Sequence, residues 1–258
     1  MRLGCFGFSG DLEAIRRAGF DFAELDLMEL SRMSDAQFAE FLRRAKDSGL
    51  GFDAFSGFMP LTERIHSPEF DREFWFEHAR RMADRTCALG AALWPLGAGK
   101  CRSIPEGVSA AAGRERVRRF FSGIAREIAP YGIKLLIEPL GPANSNFLNT
   151  IAETVEFVRE MEAPNCATMC DMRHMVKLSE PFSEIVTWKE EILHAHIDYP
   201  LGEKRLFPHP EDGYDYAPYL AALRNAGYTG RLTVEATCYS DLEKEGARCV
   251  RMLREWTA

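Results

Sequence analysis

Eight short apolar, β-rich runs alternate with eight amphipathic runs, no Pro/Ser-rich linker separates them, and eight such units consume the 258 residues; together these predict a single (β/α)8 TIM barrel spanning residues 1–258. An open doubly wound sheet is the competing arrangement. It usually has fewer units and a glycine-rich turn after its first strand, whereas here that turn reads GFSGDLEA, with Gly7 and Gly10 but no third glycine at fingerprint spacing.

The predicted strands are 3–8 (LGCFGF), 20–27 (FDFAELDL), 51–58 (GFDAFSGF), 91–99 (AALWPLGAG), 133–140 (IKLLIEPL), 167–172 (ATMCDM), 192–197 (ILHAHI) and 231–237 (RLTVEAT). Each is too short for a helix interior and is bounded by Gly, Pro or Asp. Helical periods begin near Asp11, Asp35, Asp71, Gly113, Ile151, Pro181, Asp215 and Asp241, the last ending with Trp256. In 35–49, Phe38, Phe41, Leu42 and Ala45 form one apolar stripe, and Gly49 stands where a C-terminal cap belongs. Asn149 or Thr150 is placed to cap the fifth helix.

Lys and Arg total 32 against 39 Asp and Glu, a formal charge of -7, which argues against a nucleic-acid or anionic-membrane surface built on bulk charge. The seven cysteines are odd in number and irregularly spaced, so neither a disulfide framework nor a zinc knuckle is expected and a reducing cytoplasm is the simplest location. The N-terminal segment reaches acidic residues within about a dozen positions without a long apolar stretch, against a signal peptide or membrane anchor.

In a barrel of this kind the active site lies at the C-terminal ends of the strands. The fifth strand ends in IEP with Glu138. The sixth ends in CDMRH with Asp171 and, three residues on, His174. The seventh, LHAHID, carries His194 and His196 on one face, and the eighth ends in VEAT with Glu235. Glu138, Asp171, His196 and Glu235 thus offer one ligand-type side chain from each of four consecutive strands at one rim. Three carboxylates converging with an imidazole repel one another and are costly to desolvate, a conflict that one divalent cation resolves. Such oxygen-rich ligation suits Mn, Mg, Co or Fe.

With GAGKCRSIPEG (97–107), IEPLGPANSNFLNT (137–150), CDMRHM (170–175), HAHIDYPLGEKRLFP (194–208) and VEAT (234–237) in this order, the chain resembles, over essentially its whole length, the xylose isomerase-like TIM-barrel superfamily of sugar phosphate isomerases and epimerases, which includes the ketose 3-epimerases. The resemblance implies a metal-dependent isomerase or epimerase of a ketose or keto-sugar. Its metal ligands match Glu138, Asp171, His196 and Glu235, with Mn the first expectation. Its substrate-contacting histidine matches His174 and its substrate-contacting arginine best matches Arg205. Glu138 and Glu235 would then act as an acid/base pair, one removing a proton next to the carbonyl and the other returning it, through an enediolate stabilised by the metal. Homodimers or homotetramers are usual in such families, so self-association is expected beside a small carbohydrate substrate.

Other residues stay open at this level. His194 is a packing or supporting residue, or the ligand in place of His196. His66 and His209 are within reach of the rim, and His78 reads as an ordinary solvated or capping histidine. Lys100 or Arg102 would contact an anionic substrate unless GAGKCR is only a tight turn into a helix. Many ketose epimerases carry an Asn-Arg pair and a further carboxylate after the metal-binding glutamate, where this chain has LGPAN with Gly141, Pro142 and Asn144. A substrate-orienting acid is therefore missing, and a metal-dependent lyase on a keto-sugar or keto-cyclitol, of dehydratase or C-glycoside-cleaving type, is the alternative. Six histidines in an acidic chain argue against the multi-zinc endonuclease branch.

Overall fold

The computed structural model describes residues 1–257. Eight strands, β1 (Arg2–Gly7), β2 (Phe22–Asp26), β3 (Gly51–Ser56), β4 (Leu93–Leu96), β5 (Lys134–Ile137), β6 (Cys166–Asp171), β7 (Ile192–Ile197) and β8 (Arg231–Val234), pair in parallel in chain order. The sheet closes on itself where β1 meets β8, with Cys5 opposite Val234. Around it run α1 (Leu12–Ala18), α2 (Leu27–Arg32), α3 (Asp35–Ser48), α4 (Arg72–Leu89), α5 (Gly99–Arg102), α6 (Ala110–Ile128), α7 (Ile151–Met161), α8 (Met172–Leu178), α9 (Ser183–Thr187), α10 (Ala217–Asn225) and α11 (Leu242–Thr257). This is the predicted single TIM barrel.

The strands are buried on both faces, which is why each reads as a near-continuous apolar run. Their outward side chains pack on the helices in one large core that includes Leu3, Ile15, Leu25, Phe55, Phe120, Ile137, Val155, Ile197 and Leu253. Inside the barrel, Phe22, Ala54, Leu93, Leu136, Ala167 and Met169 form a smaller apolar plug. Gly4 faces this plug, where an added Cβ would fall 2.2 Å from the Phe22 ring. Two residues beyond Phe22 on the same face of β2 comes Glu24, which is fully buried, and the barrel interior turns polar from there to the rim.

Helix ends follow the sequence closely. Gly49 takes the left-handed conformation (φ 75°) after α3, and Thr150 with Glu153 makes a reciprocal capping box at the start of α7. Three short helices, α2, α5 and α8, start directly at or just beyond strand ends and are not visible in the hydrophobic period. The helix expected from Pro181 is only the five-residue α9, because α8 has already taken residues 172–178. No helix among the described residues is long and apolar enough to cross a membrane.

Candidate metal centre

The ladder ends at Ile137 in β5 and at Val234 in β8, so Glu138 and Glu235 are each the first residue beyond a strand. Both remain pinned to the neighbouring strand, Glu138 N donating to Leu96 O (3.2 Å) and Glu235 N to Ile197 O (3.0 Å). Asp171 closes β6 and caps α8, its Oδ1 accepting from His174 N at 3.0 Å. That bond occupies one carboxylate oxygen and leaves Oδ2 for the rim. His174 therefore lies on the first turn of a helix above the barrel rather than on an extended strand end.

The structure brings all four predicted ligands together. One ligand atom from each of Glu138, Asp171, His196 and Glu235 lies within 4.8 Å of the others. His196 Nδ1 is 3.3 Å from Glu235 Oε2, 3.7 Å from Glu138 Oε1 and 3.8 Å from Asp171 Oδ2. Glu138 Oε1, Asp171 Oδ2 and His196 Nδ1 are buried without a hydrogen-bond partner. Buried polar atoms normally have partners, and three orphans aimed at one point fit a divalent cation.

His174 and Arg205 complete the wall. Arg205 pairs with Glu235 and sits 3.7 Å from Asp171 Oδ2 and 3.4 Å from Asp198 Oδ2, while its Nη2 is 3.4 Å from His174 Nε2. His174 Nε2 in turn lies 3.9 Å from both Glu138 Oε1 and Asp171 Oδ2. Burial alone would raise the Asp171 pKa, but His174, Arg205 and the His174 N–H override it and hold the carboxyl well below its usual range.

Glu138, His174, His196, Arg205 and Glu235 line a cavity of about 440 Å³, within the size class of small-molecule sites. Apart from Asp26, the ionisable side chains come from the β5–β8 side. The β1–β4 side contributes Phe6, Met28, Phe58, Met59 and Leu96, with Asp26 and Ser56 as its polar members. Larger grooves of about 660 and 540 Å³ lie elsewhere, but neither includes any of the quartet.

The remaining sequence candidates separate clearly. His194 is buried behind His196 and is joined to it through Glu24, a residue the sequence reading passed over. Arg102 is fully buried and donates to Phe147 O, Glu138 O and Leu148 O, so it supports the β5 end from behind, while Lys100 is exposed. Neither Arg102 nor Lys100 lines the cavity, and the same holds for His66 and His209. His78 is not a solvated histidine: it is buried against Trp75 and Phe58, with ring centroids 5.1 and 5.4 Å away. Asn144 does reach the cavity, and Gly141 packs beside His174; the segment after Glu138 supplies no acid.

Residues 12–256 match the family described as xylose isomerase-like TIM barrel. A D-psicose 3-epimerase of Agrobacterium fabrum is 26% identical over 238 residues, covering 88% of this chain and 78% of that one. A ketose 3-epimerase of Arthrobacter globiformis is 24% identical over 272 residues, covering 98% and 90%. Among solved structures, a D-psicose 3-epimerase in the presence of D-fructose has a TM-score of 0.84 at 20% identity, over 100% of this chain and 99% of that one.

Proposed function

The chain belongs to the xylose isomerase-like TIM-barrel family, and from that premise we propose that it is a divalent-metal-dependent sugar isomerase or epimerase acting on a ketose or keto-sugar. The observation that carries this reading is the set of orphaned ligand atoms on Glu138, Asp171 and His196, met by Glu235, at the floor of a cavity at the C-terminal ends of the strands. Glu138, Asp171, His196 and Glu235 would hold the ion, with Mn first and Mg, Co or Fe as substitutes for the same three carboxylates and imidazole. When bound, it supplies Lewis-acid stabilisation of negative charge on substrate oxygen, worth several kcal/mol.

The chain's own groups handle the proton. One glutamate of the Glu138/Glu235 pair, as carboxylate, takes the proton from the carbon beside the carbonyl. The C–H electron pair becomes the C=C bond of an enediolate and the carbonyl π pair moves to oxygen. The other glutamate, protonated, returns a proton to carbon, and the pair ends with its protonation reversed, to be reset through solvent. General acid–base catalysis of this kind contributes about 10²- to 10⁴-fold. His174 Nε2 is placed to hydrogen-bond the carbonyl or the adjacent hydroxyl, and the Arg205 guanidinium to offset charge as it develops.

The absence of an acid among Gly141, Pro142 and Asn144 favours one second reading, in which the same enediolate expels a β-substituent instead of being reprotonated. A screen of ketoses, keto-cyclitols and keto-glycosides in D2O with added Mn tests both. Carbon-bound deuterium with inversion supports the epimerase. Release of water or aglycone supports the lyase. No incorporation and no product across the panel, or full turnover by Glu138→Gln and Glu235→Gln, overturns the paired-glutamate reading. The family resemblance supports a homodimer or homotetramer as the working form, and seven free cysteines support a reducing cytoplasm.

A further inference from the structure

A polar layer beneath the four ligands takes no direct part in moving the proton. Glu24, on β2, is fully buried on the far side of the barrel interior from solvent. Its Oε2 is 2.8 Å from His194 Nε2, and both of its carboxylate oxygens lie close to His196 Nε2, Oε1 at 3.1 Å and Oε2 at 3.2 Å. His194 Nε2 is also 3.2 Å from Thr233 Oγ1, which ties the assembly to β8.

We infer that Glu24 is a positioning residue for the metal centre: it keeps the His196 proton on Nε2 and holds the ring so that the Nδ1 lone pair points at Glu138, Asp171 and Glu235. The inference rests on the metal reading above. An ionised carboxylate only accepts, so each imidazole nitrogen bonded to Glu24 must carry the hydrogen. With Nε2 donating, His196 Nδ1 is an acceptor, and it is the ring atom that faces the other three ligands at 3.3 to 3.8 Å without a partner of its own. Reversal of the tautomer would place an N–H where a ligand lone pair is required. His194 is a second anchor: it donates to the same carboxylate oxygen that His196 approaches, which accounts for a second histidine on this strand that never reaches the cavity.

Glu24, His194 and His196 are themselves close enough together to hold an ion. Their facing nitrogens are already bonded to the carboxylate, though, and neither Glu24 nor His194 has any exposed side-chain surface. A support for one ion above accounts for the geometry with the hydrogen bonds in place. Hydrogen-bond partners of metal-bound histidines commonly change metal affinity by about 10- to 100-fold when removed.

The test uses wild type, Glu24→Gln and Glu24→Leu, each stripped of metal and titrated with Mn2+ by calorimetry. A glutamine offers an acceptor oxygen to only one of the two imidazoles and turns an NH2 toward the other, so its affinity should fall about tenfold, and that of the leucine variant about a hundredfold. Long-range 15N–1H spectra of histidine-labelled apo-protein give a readout that a purely structural role would leave unchanged. Recorded at a pH high enough to keep the ring neutral, His196 should show a protonated Nε2 in wild type and a mixture of tautomers in Glu24→Gln, which keeps the shape of the buried side chain if the leucine variant does not fold. A wild type that takes up Mn2+ while Glu24→Gln binds equally well with an unchanged His196 tautomer overturns the inference and leaves the metal reading standing. Two ions per chain would also overturn it, in favour of a site at Glu24 itself. A wild type that binds no divalent ion overturns the metal reading and this inference with it.

Discussion

Arg102 Nη2 donates to the backbone carbonyl of Glu138 at 2.9 Å, from a side chain that has no exposed surface. The same guanidinium holds Leu148 O at 2.8 Å and Phe147 O at 3.2 Å, so it gathers the end of β5 and the segment leading into α7 around one charge. In Arg102→Met, Leu148 O keeps Leu140 N and Phe147 O keeps Ser145 Oγ, but Glu138 O loses its side-chain donor. An unsatisfied buried group costs about 1–3 kcal/mol. We expect a loss of about that size in denaturant unfolding together with weakened metal binding, because the lost bond holds Glu138 itself. Lys100→Ala, two residues away and exposed, should change neither.

Arg173 plays the corresponding part on the other side of the cavity. It stands between Asp171 and His174 in sequence, and its guanidinium donates to Asp198 and to the carbonyls of Tyr199, Gly202 and Lys204. Those bonds close the 199–205 segment that presents Arg205 to Glu235. In Arg173→Met this segment should open, and trypsin should cut after Lys204 or Arg205 much faster than in wild type. Misplacement of a positioning group by about 1 Å can cost on the order of 10²-fold in rate, so turnover should fall, and because Asp198 loses a buried partner the melting temperature should fall as well. Unchanged proteolysis would dissociate Arg173 from the loop.

Much of this was legible in the sequence, for identifiable reasons. Strand ends in a parallel barrel converge by topology, so ligand-type residues one repeat apart on four successive strands had to meet, and Glu138, Asp171, His196 and Glu235 do. Glu24 was not found because its partners lie 170 and 172 positions away and it sits inside an apolar run, FDFAELDL. A signal was nonetheless present. Glu24 has the same strand parity as Phe22, and a carboxylate at an inward position of a barrel strand is expensive unless paired. Short helices such as α8 escaped for a different reason: at seven residues they show too little period, and α8 exists because Asp171 caps it.

His78 gives a pH test of the α4 packing. Burial against Trp75 and Phe58, reinforced by the Arg81 charge, pushes its pKa down to about 4 from an ordinary value of 6.5. A base with a depressed folded-state pKa is held neutral by the fold. Its contribution is therefore complete above pH 6.5 and is lost as the pH falls toward 4, where the unfolded chain binds a proton that the native chain resists. The difference in melting temperature between wild type and His78→Leu should shift in favour of the variant over that window and be flat from pH 7 to 9. A constant difference across the whole range would show that His78 is free to charge in place.

Removing the metal separates the quartet from the rest of the cavity. An ion that binds only the folded chain stabilises it by mass action, about 2.7 kcal/mol at a free concentration 100 times its Kd. For a chain of this size that corresponds to a rise of roughly 5–10 °C in melting temperature. Wild-type protein should show such a rise with Mn2+ and lose it on adding a chelator. Asp171→Asn and His196→Gln should melt at temperatures indifferent to Mn2+, because each removes a ligand atom that is buried and otherwise without a partner. Glu235→Gln should retain a reduced response, since Glu235 is the most exposed of the four and already shares its carboxylate with Arg205. A wild-type melting temperature that ignores Mn2+, Mg2+ and Co2+ alike would mean that Arg205 and the histidines balance the three carboxylates unaided.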